Sequence, residues 1–198
     1  MNKKDNIPEI ILASASPRRK QLLEGLNLDF KIIPSEIEEI IDEKVFSNKL
    51  IEDLALEKAI DVRKKINYPA VIIGADTVVV IDNRVLGKPK DRQEAFEMIK
   101  MLQGKTHKVV SAIAVIDTRN EKILTDSVES RVSFKPLSDN EINSYIDTGE
   151  PMDKAGAYAI QGVGSILVSS ICGCYSNIVG ISTYKLAEML KEFGIYIL

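Results

Sequence analysis

The sequence predicts an α/β fold, a mixed twisted β-sheet flanked by helices, and three observations lead there. Strand-like and helix-like segments alternate along 198 residues without the even spacing of repeated βαβ units. The run Val71 to Ile81 is rich in β-branched residues and almost wholly apolar, the composition of a strand covered on both faces. Residues 48–65 instead repeat apolar side chains at steps near 3.6, the mark of a helix with one buried face. With no internal repeat, low-complexity tract or linker, residues 1–198 are expected to form a single domain.

Each element has its own signal. Glu9 to Ala13 reads as a short strand. Ser16 is a favourable N-cap and Pro17 suits the first helical position, so a helix is expected to Leu23 or Glu24, ended by Gly25 and Asn27. Phe30 to Pro34 reads as a strand leading into the acidic stretch Glu36-Ile37-Glu38-Glu39 and a polar loop to Ser47. The helix from Asn48 to Lys65 places Leu50, Leu54, Ala55, Ala59 and Val62 on its apolar side. After the Val71–Ile81 strand come the turn Asp82-Asn83 and the run Val85-Leu86-Gly87-Lys88-Pro89. Asp91 and Glu94 resemble a capping box opening a helix to Leu102, closed by Gly104. Lys108 to Asp117 and Asp126 to Phe134 read as strands suited to antiparallel pairing. Ser138 and Glu141 open another capped helix, ended by Thr148-Gly149 and Pro151. Ile166 to Ser170 reads as a strand and Thr183 to Phe193 as a last amphipathic helix.

Composition narrows the function. Hydrophobic residues at 45% and charged residues at 28% are those of an ordinary globular protein. A net charge of −3 gives no general reason to expect a nucleic-acid partner, so any polyanion site must be a local cluster of Lys and Arg. No stretch approaches the ~18 to 20 apolar residues that span a bilayer, and Met1 to Pro8 lacks an apolar signal region. A cytoplasmic location without a membrane partner is the expectation. Cys172 and Cys174 are too close for an easy disulfide and too few for a zinc site. His107 is the one histidine, which excludes a His-rich metal site and leaves it as a surface or packing residue.

Asp76 breaks the pattern of its strand. A carboxylate among apolar neighbours costs several kcal/mol unless a cation, a metal or several donors compensate it. Arg18 and Arg19 fall in the first turn of a helix, where positive charge is disfavoured; a bound anion would reconcile them, and so would simple solvation. Lys58 lies in line with Leu54 and Val62, where a lysine commonly lays its stem on the core and its charge in water. Lys88 sits on a stiff turn, and Glu36, Glu38 and Glu39 form a charge run that could be a plain solvated face. Taken together these are the parts for handling a triphosphate with a divalent metal. No Walker A motif is present, and the glycines of Gln161-Gly162-Val163-Gly164 fit no dinucleotide fingerprint.

Four segments in order, Ser14-Ala15-Ser16-Pro17-Arg18-Arg19, Gly74-Ala75-Asp76-Thr77, Gly87-Lys88-Pro89 and the run from Glu150 to Gly162, resemble the Maf family of nucleoside triphosphate pyrophosphatases, also described as septum-formation inhibitors. The resemblance implies two lobes around a central cleft, an ITPase-like arrangement, and hydrolysis between the α and β phosphates with a house-cleaning role on non-standard nucleotides. It implies Asp76 as proton acceptor, with Glu39 helping with metal or water, so that both would serve a bound Mg²⁺ or Mn²⁺. Ser14, Arg18, Arg19, Lys58, Thr77, Lys88 and Gln161 are implied as substrate-binding, and Arg18, Thr77 and Gln161 match specificity positions. The Asp153-Lys154-Ala155-Gly156-Ala157-Tyr158-Ala159-Ile160-Gln161-Gly162 segment is similar to the branch acting on dTTP and UTP, rather than on 7-methyl-GTP. Gln161 can offer a donor and an acceptor to a pyrimidine edge, although a packed or turn-forming glutamine fits the spacing equally. Ser182 departs from the family pattern, which usually has Pro there. A homodimer, a regulator of cell division with little catalysis, and a 7-methyl-GTP pyrophosphatase are also compatible with the family.

Overall fold

The computed structural model describes residues 8–37 and 46–198. In chain order these form β1 (Glu9–Leu12), α1 (Pro17–Glu24), β2 (Phe30–Ile32), α2 (Asn48–Lys65), β3 (Ala70–Ile81), β4 (Arg84–Leu86), α3 (Arg92–Leu102), β5 (Thr106–Asp117), β6 (Lys122–Phe134), α4 (Asp139–Ile146), β7 (Val168–Cys172), α5 (Tyr175–Val179) and α6 (Thr183–Lys191). The strands make one seven-stranded mixed sheet in the order β2-β1-β3-β5-β6-β7, with β4 added to β3. β1 runs parallel to β2 and β3, and the other pairs are antiparallel. The α/β class predicted from the pattern is therefore the observed one.

Alternation along β3 and β5 explains the division into lobes. Even-numbered Ile72, Val78 and Val80 of β3, with Val110, Ala112 and Ala114 of β5, pack against Ile51, Leu54, Ala55, Ala59 and Val62 of α2. On the opposite face Val71, Ile73 and Ala75, with Ile113 and Val115, meet Leu186, Met189 and Leu190 of α6 and Leu23 of α1. Further along that same face Val79, Ile81 and Val109 meet α3 and α4 instead. Between these two half-cores stand Thr77 and Ser111, paired in the ladder. A polar pair thus interrupts one face while α2 covers the other without a break.

A notch forms at the edge of β3. β1 pairs with residues 70–73 and β4 with residues 79–81, so Gly74 to Val78 have β5 on one side and no strand on the other among the described residues. The two-residue turn Asp82-Asn83 that carries β4 back has positive φ at both positions, the geometry that matches strand twist in a tight hairpin.

Local signals placed most boundaries. α2 has the bounds expected, although Ile51 rather than Leu50 is fully buried at its start. Ser138 and Glu141 make the reciprocal capping box. Asp91 caps the Glu94 N–H at 2.8 Å, but the Glu94 carboxylate accepts from Lys90 instead of closing the box. β2 stops at Ile32, before Pro34, and α6 stops at Lys191. β7 begins at Val168, not Ile166, because residues 162–167 wind into a 3₁₀ turn. α5 had no sequence signal, being only five residues long. His107 is a packing residue: its ring stands edge-on to Phe134 and Tyr158, and Nε2 lies 2.8 Å from the Tyr158 hydroxyl. Burial pushes its imidazole down to about 4. Among the described residues no helix is long and apolar enough to cross a membrane.

Candidate active site

The notch in β3 opens into a cavity of about 430 Å³. Its walls come from the loop after β1 with the start of α1, from Lys58, from Asp76 to Val79, from Gly87-Lys88, from residues 153–155 and 158–161, and from residues 178–180. All the sequence-predicted site residues that are described line it: Ser14, Arg18, Arg19, Lys58, Asp76, Thr77, Lys88 and Gln161. Glu39 lies outside the described residues. Glu36 faces elsewhere, exposed and paired with Lys65 at 3.3 Å.

Asp76 is 3% exposed, and its Oδ1 accepts a hydrogen bond from the Lys58 ammonium, itself 7% exposed. Lys58 therefore does not send its charge to water; α2 delivers it to the buried carboxylate. The fit depends on Gly74, since a Cβ there would lie 2.1 Å from the Ala55 carbonyl oxygen. Without a side chain at Gly74, α2 settles close enough for Lys58 to reach the strand. The other oxygen, Asp76 Oδ2, is buried with no hydrogen-bond partner among the described residues.

The helix start is organised by one arginine. Ser16 caps α1, and Ser14, also buried, accepts from the Ser16 N–H at 3.2 Å. The Arg19 guanidinium donates to Ser14 Oγ at 3.1 Å, to Thr77 Oγ1 at 3.1 Å and to the Gly180 carbonyl at 3.0 Å. Thr77 in turn bonds Ser111 Oγ at 2.8 Å and donates to the Gly180 carbonyl at 3.1 Å. Arg19 is thus a buttress between α1, the break in β3 and the loop before α6. Arg18 is half-buried and reaches across the cleft to Asp153 at 3.4 Å. Burial alone would raise the Asp153 carboxyl, but Lys154 and Arg18 outweigh it and hold the group below its ordinary value.

Two residues escaped the sequence reading although their motif was noticed. Lys154 is half-buried in the wall and donates to the Glu150 carbonyl at 2.7 Å, and Asp153 faces Arg18. Gly180, with φ +141°, turns its carbonyl toward Arg19 and Thr77, which a side-chain motif could not reveal. Ser182 accepts from the Lys185 N–H as the N-cap of α6, which accounts for its departure from Pro. Cys172 and Cys174 are both free thiols.

The cavity is locally basic although the chain is acidic: Arg18, Arg19, Lys58, Lys88 and Lys154 face Asp76 and Asp153. Such a concave cluster attracts a polyanion. The unpartnered, buried Asp76 Oδ2 is a hard oxygen of the kind a divalent cation takes. Among the described residues no three His, Cys, Asp or Glu side chains converge.

The family model for Maf-like proteins matches residues 9–193. The chain belongs to the Maf family. Relatives match it nearly end to end. A Thermoanaerobacter protein named dTTP/UTP pyrophosphatase is 51% identical over 191 residues, covering 96% of this chain and 100% of its own. Proteins of the same name from Clostridium botulinum and Acetivibrio thermocellus are 49% and 47% identical, covering 93% and 96% of this chain and 98% of their own lengths. A solved structure, a nucleoside-triphosphatase / dITP/XTP pyrophosphatase from Mycobacterium abscessus, aligns with a TM-score of 0.40 at 16% identity, covering 65% of this chain and 75% of its own. In Maf terms, the SPRR-like, GADT, GKP and EPMDKAGAYAIQG segments of this chain all contribute walls to one cavity.

Proposed function

We propose that this protein hydrolyses nucleoside triphosphates, dTTP and UTP foremost, between the α and β phosphates, giving nucleoside monophosphate and pyrophosphate. The observation that carries the reading is Asp76, buried in the cavity wall at the notch with one oxygen on Lys58 and the other without a hydrogen-bond partner among the described residues, in the same cavity as the helix start that bears Arg18 and Arg19. The relatives named dTTP/UTP pyrophosphatase, at about half identity over nearly the whole chain, support the substrate class.

Lys58 fixes the orientation of Asp76, leaving Oδ2 to orient the attacking water and accept its proton. Arg18, Lys88 and the Ser14–Arg19 pair hold the phosphates, and the unfilled amides at the start of α1 add to that potential. Lys58, assigned to phosphate by resemblance, acts first on Asp76. A divalent cation, Mg²⁺ or Mn²⁺, held by Asp76 and Glu39, would neutralise phosphate charge. Gln161 faces the cavity from the opposite rim and reads the base edge, where an unmatched donor or acceptor penalises the wrong base. A binder without chemistry would gain nothing from a buried negative group beside its ligand's phosphates.

The test is incubation with dTTP and Mg²⁺ or Mn²⁺, with and without a chelator, and separation of the products. dTMP and pyrophosphate are expected, with turnover lost on chelation. dTDP and orthophosphate would overturn the assigned bond, and tight dTTP binding with no turnover would return the protein to a binding role.

A further inference from the structure

Gln161 is exposed, and its amide makes no hydrogen bond among the described residues. A glutamine amide can turn over and present donor and acceptor in either order. Left to itself it would suit thymine or uracil, with a carbonyl at position 4 and an N–H at position 3, as readily as cytosine, which reverses both. The groups beside the amide in the cavity wall set which way it turns, and they can do so only if the turn holds Gln161 at a fixed place against them.

Two side chains outside the phosphate site hold that backbone on both sides of Gln161. The Glu150 carboxylate accepts from the Val163 N–H through Oε2 and from the Gly164 N–H through Oε1, each at 3.0 Å. Tyr145, buried in α4, donates its hydroxyl to Glu150 Oε1 at 3.0 Å and accepts from the Ala159 N–H at 3.1 Å. Burial and the facing Glu150 carboxylate raise the phenol's pKa, which keeps it protonated and a donor. The glycines around Gln161 permit this close approach. A Cβ at Gly162 would fall 2.7 Å from Glu150 Oε2, and one at Gly164 2.4 Å from the Ala159 carbonyl oxygen and 2.6 Å from the Tyr145 hydroxyl. Gly162 also has φ +67°, a left-handed conformation that favours glycine. The glycines that fit no phosphate-binding fingerprint are there to admit a carboxylate from their own chain.

We propose that Glu150 and Tyr145 are positioning residues for base selection, clamping the 159–164 turn so that Gln161 meets a 4-oxo, 3-N–H pyrimidine edge from one fixed place in the cavity wall. The inference rests on Gln161 being the base contact. Neither Glu150 nor Tyr145 lines the cavity, so the clamp is separable from the chemistry at Asp76.

The experiment measures kcat and KM with dTTP and with dCTP for the wild type, Glu150→Gln, Tyr145→Phe, Gln161→Ala and the Glu150→Gln/Gln161→Ala double variant, alongside hydrogen exchange of the 159–167 segment. Expected for Glu150→Gln and Tyr145→Phe are faster exchange in that segment, kcat on dTTP within about threefold, and dTTP-over-dCTP preference reduced about tenfold through KM. In the Gln161→Ala background, Glu150→Gln should reduce the preference no further. Tyr145→Phe keeps the test open should Glu150→Gln fold poorly. If Gln161→Ala lowers the preference while Glu150→Gln and Tyr145→Phe leave it intact, or lower only kcat, the clamp is refuted and the Gln161 reading stands. If Gln161→Ala has no effect on preference but the clamp variants lower it, the base is read by the turn backbone, and the clamp acting through Gln161 is overturned. If none of the three shifts the preference, both assignments fall.

Discussion

Lys58 of α2 and Asp76 of β3 form a buried ion pair across the helix–sheet contact, where the hydrophobic layer under α2 meets the cavity wall. The pair is only half satisfied, because Asp76 Oδ2 has no partner among the described residues. A buried pair left incomplete is costly as structure, and the proposed reaction would give the unpartnered oxygen a use.

Asp76→Asn tests that use. Asparagine still accepts from Lys58 but cannot take a proton from water, so turnover should fall about a thousandfold. The unfolding midpoint in urea should drop modestly, by about 1–3 kcal/mol equivalent, because the buried negative charge facing Lys58 is removed. Activity assays and urea titration of the same preparation separate the two effects.

Gly74→Ala should act on the same pair from a distance. Its Cβ would fall 2.1 Å from the Ala55 carbonyl oxygen and 3.0 Å from Ala59, so α2 must lift from the sheet. A loss of about 1–3 kcal/mol in stability is expected. Activity should fall further than the unfolded fraction explains, because Lys58 rides on the displaced helix.

Thr77→Val removes the hydroxyl that receives Arg19 and joins Ser111 and the Gly180 carbonyl. Valine matches its shape but offers no acceptor, so the Arg19 buttress loosens. The expected result is about a tenfold fall in kcat/KM for dTTP. Arg19 keeps its bonds to Ser14 and Gly180, so the fold should survive, as circular dichroism can check.

His107 predicts a pH dependence of stability. Its folded-state value, about 4, lies below the ordinary 6.5 because burial disfavours the charged ring. Between these values the unfolded chain binds the proton and the folded chain does not. Its contribution is therefore intact above pH 6.5 and is lost as pH falls toward 4, by about 3 kcal/mol across that window. It is the one histidine, so urea midpoints at pH 7 and pH 5 should differ in the wild type and converge in His107→Gln.

What could be read along the chain was local. Ser16, Asp91 and Ser138 announced helix starts because a cap acts within three residues. The steps of Leu54, Ala55, Ala59 and Val62 announced α2 because period reports one face. Lys58 occupied the same stripe, yet a step of four cannot tell a snorkelling lysine from a buried one. Only the approach of α2 at Gly74 decided between them. The acidic run was left open in the same way, and the part of it that is described, Glu36, turned toward Lys65.

The sequence by itself determined the class, the covered strand with Asp76 in it, the helix bearing Arg18 and Arg19, and the family motifs, all of which depend on short-range propensity and spacing. Tertiary structure decided what those side chains touch. Thr77 meets Ser111 and Arg19, Lys58 meets Asp76, and Glu150 meets the turn around Gln161, each across separations at which hydrogen bonds and charge pairs depend on packed geometry rather than on neighbours in the chain.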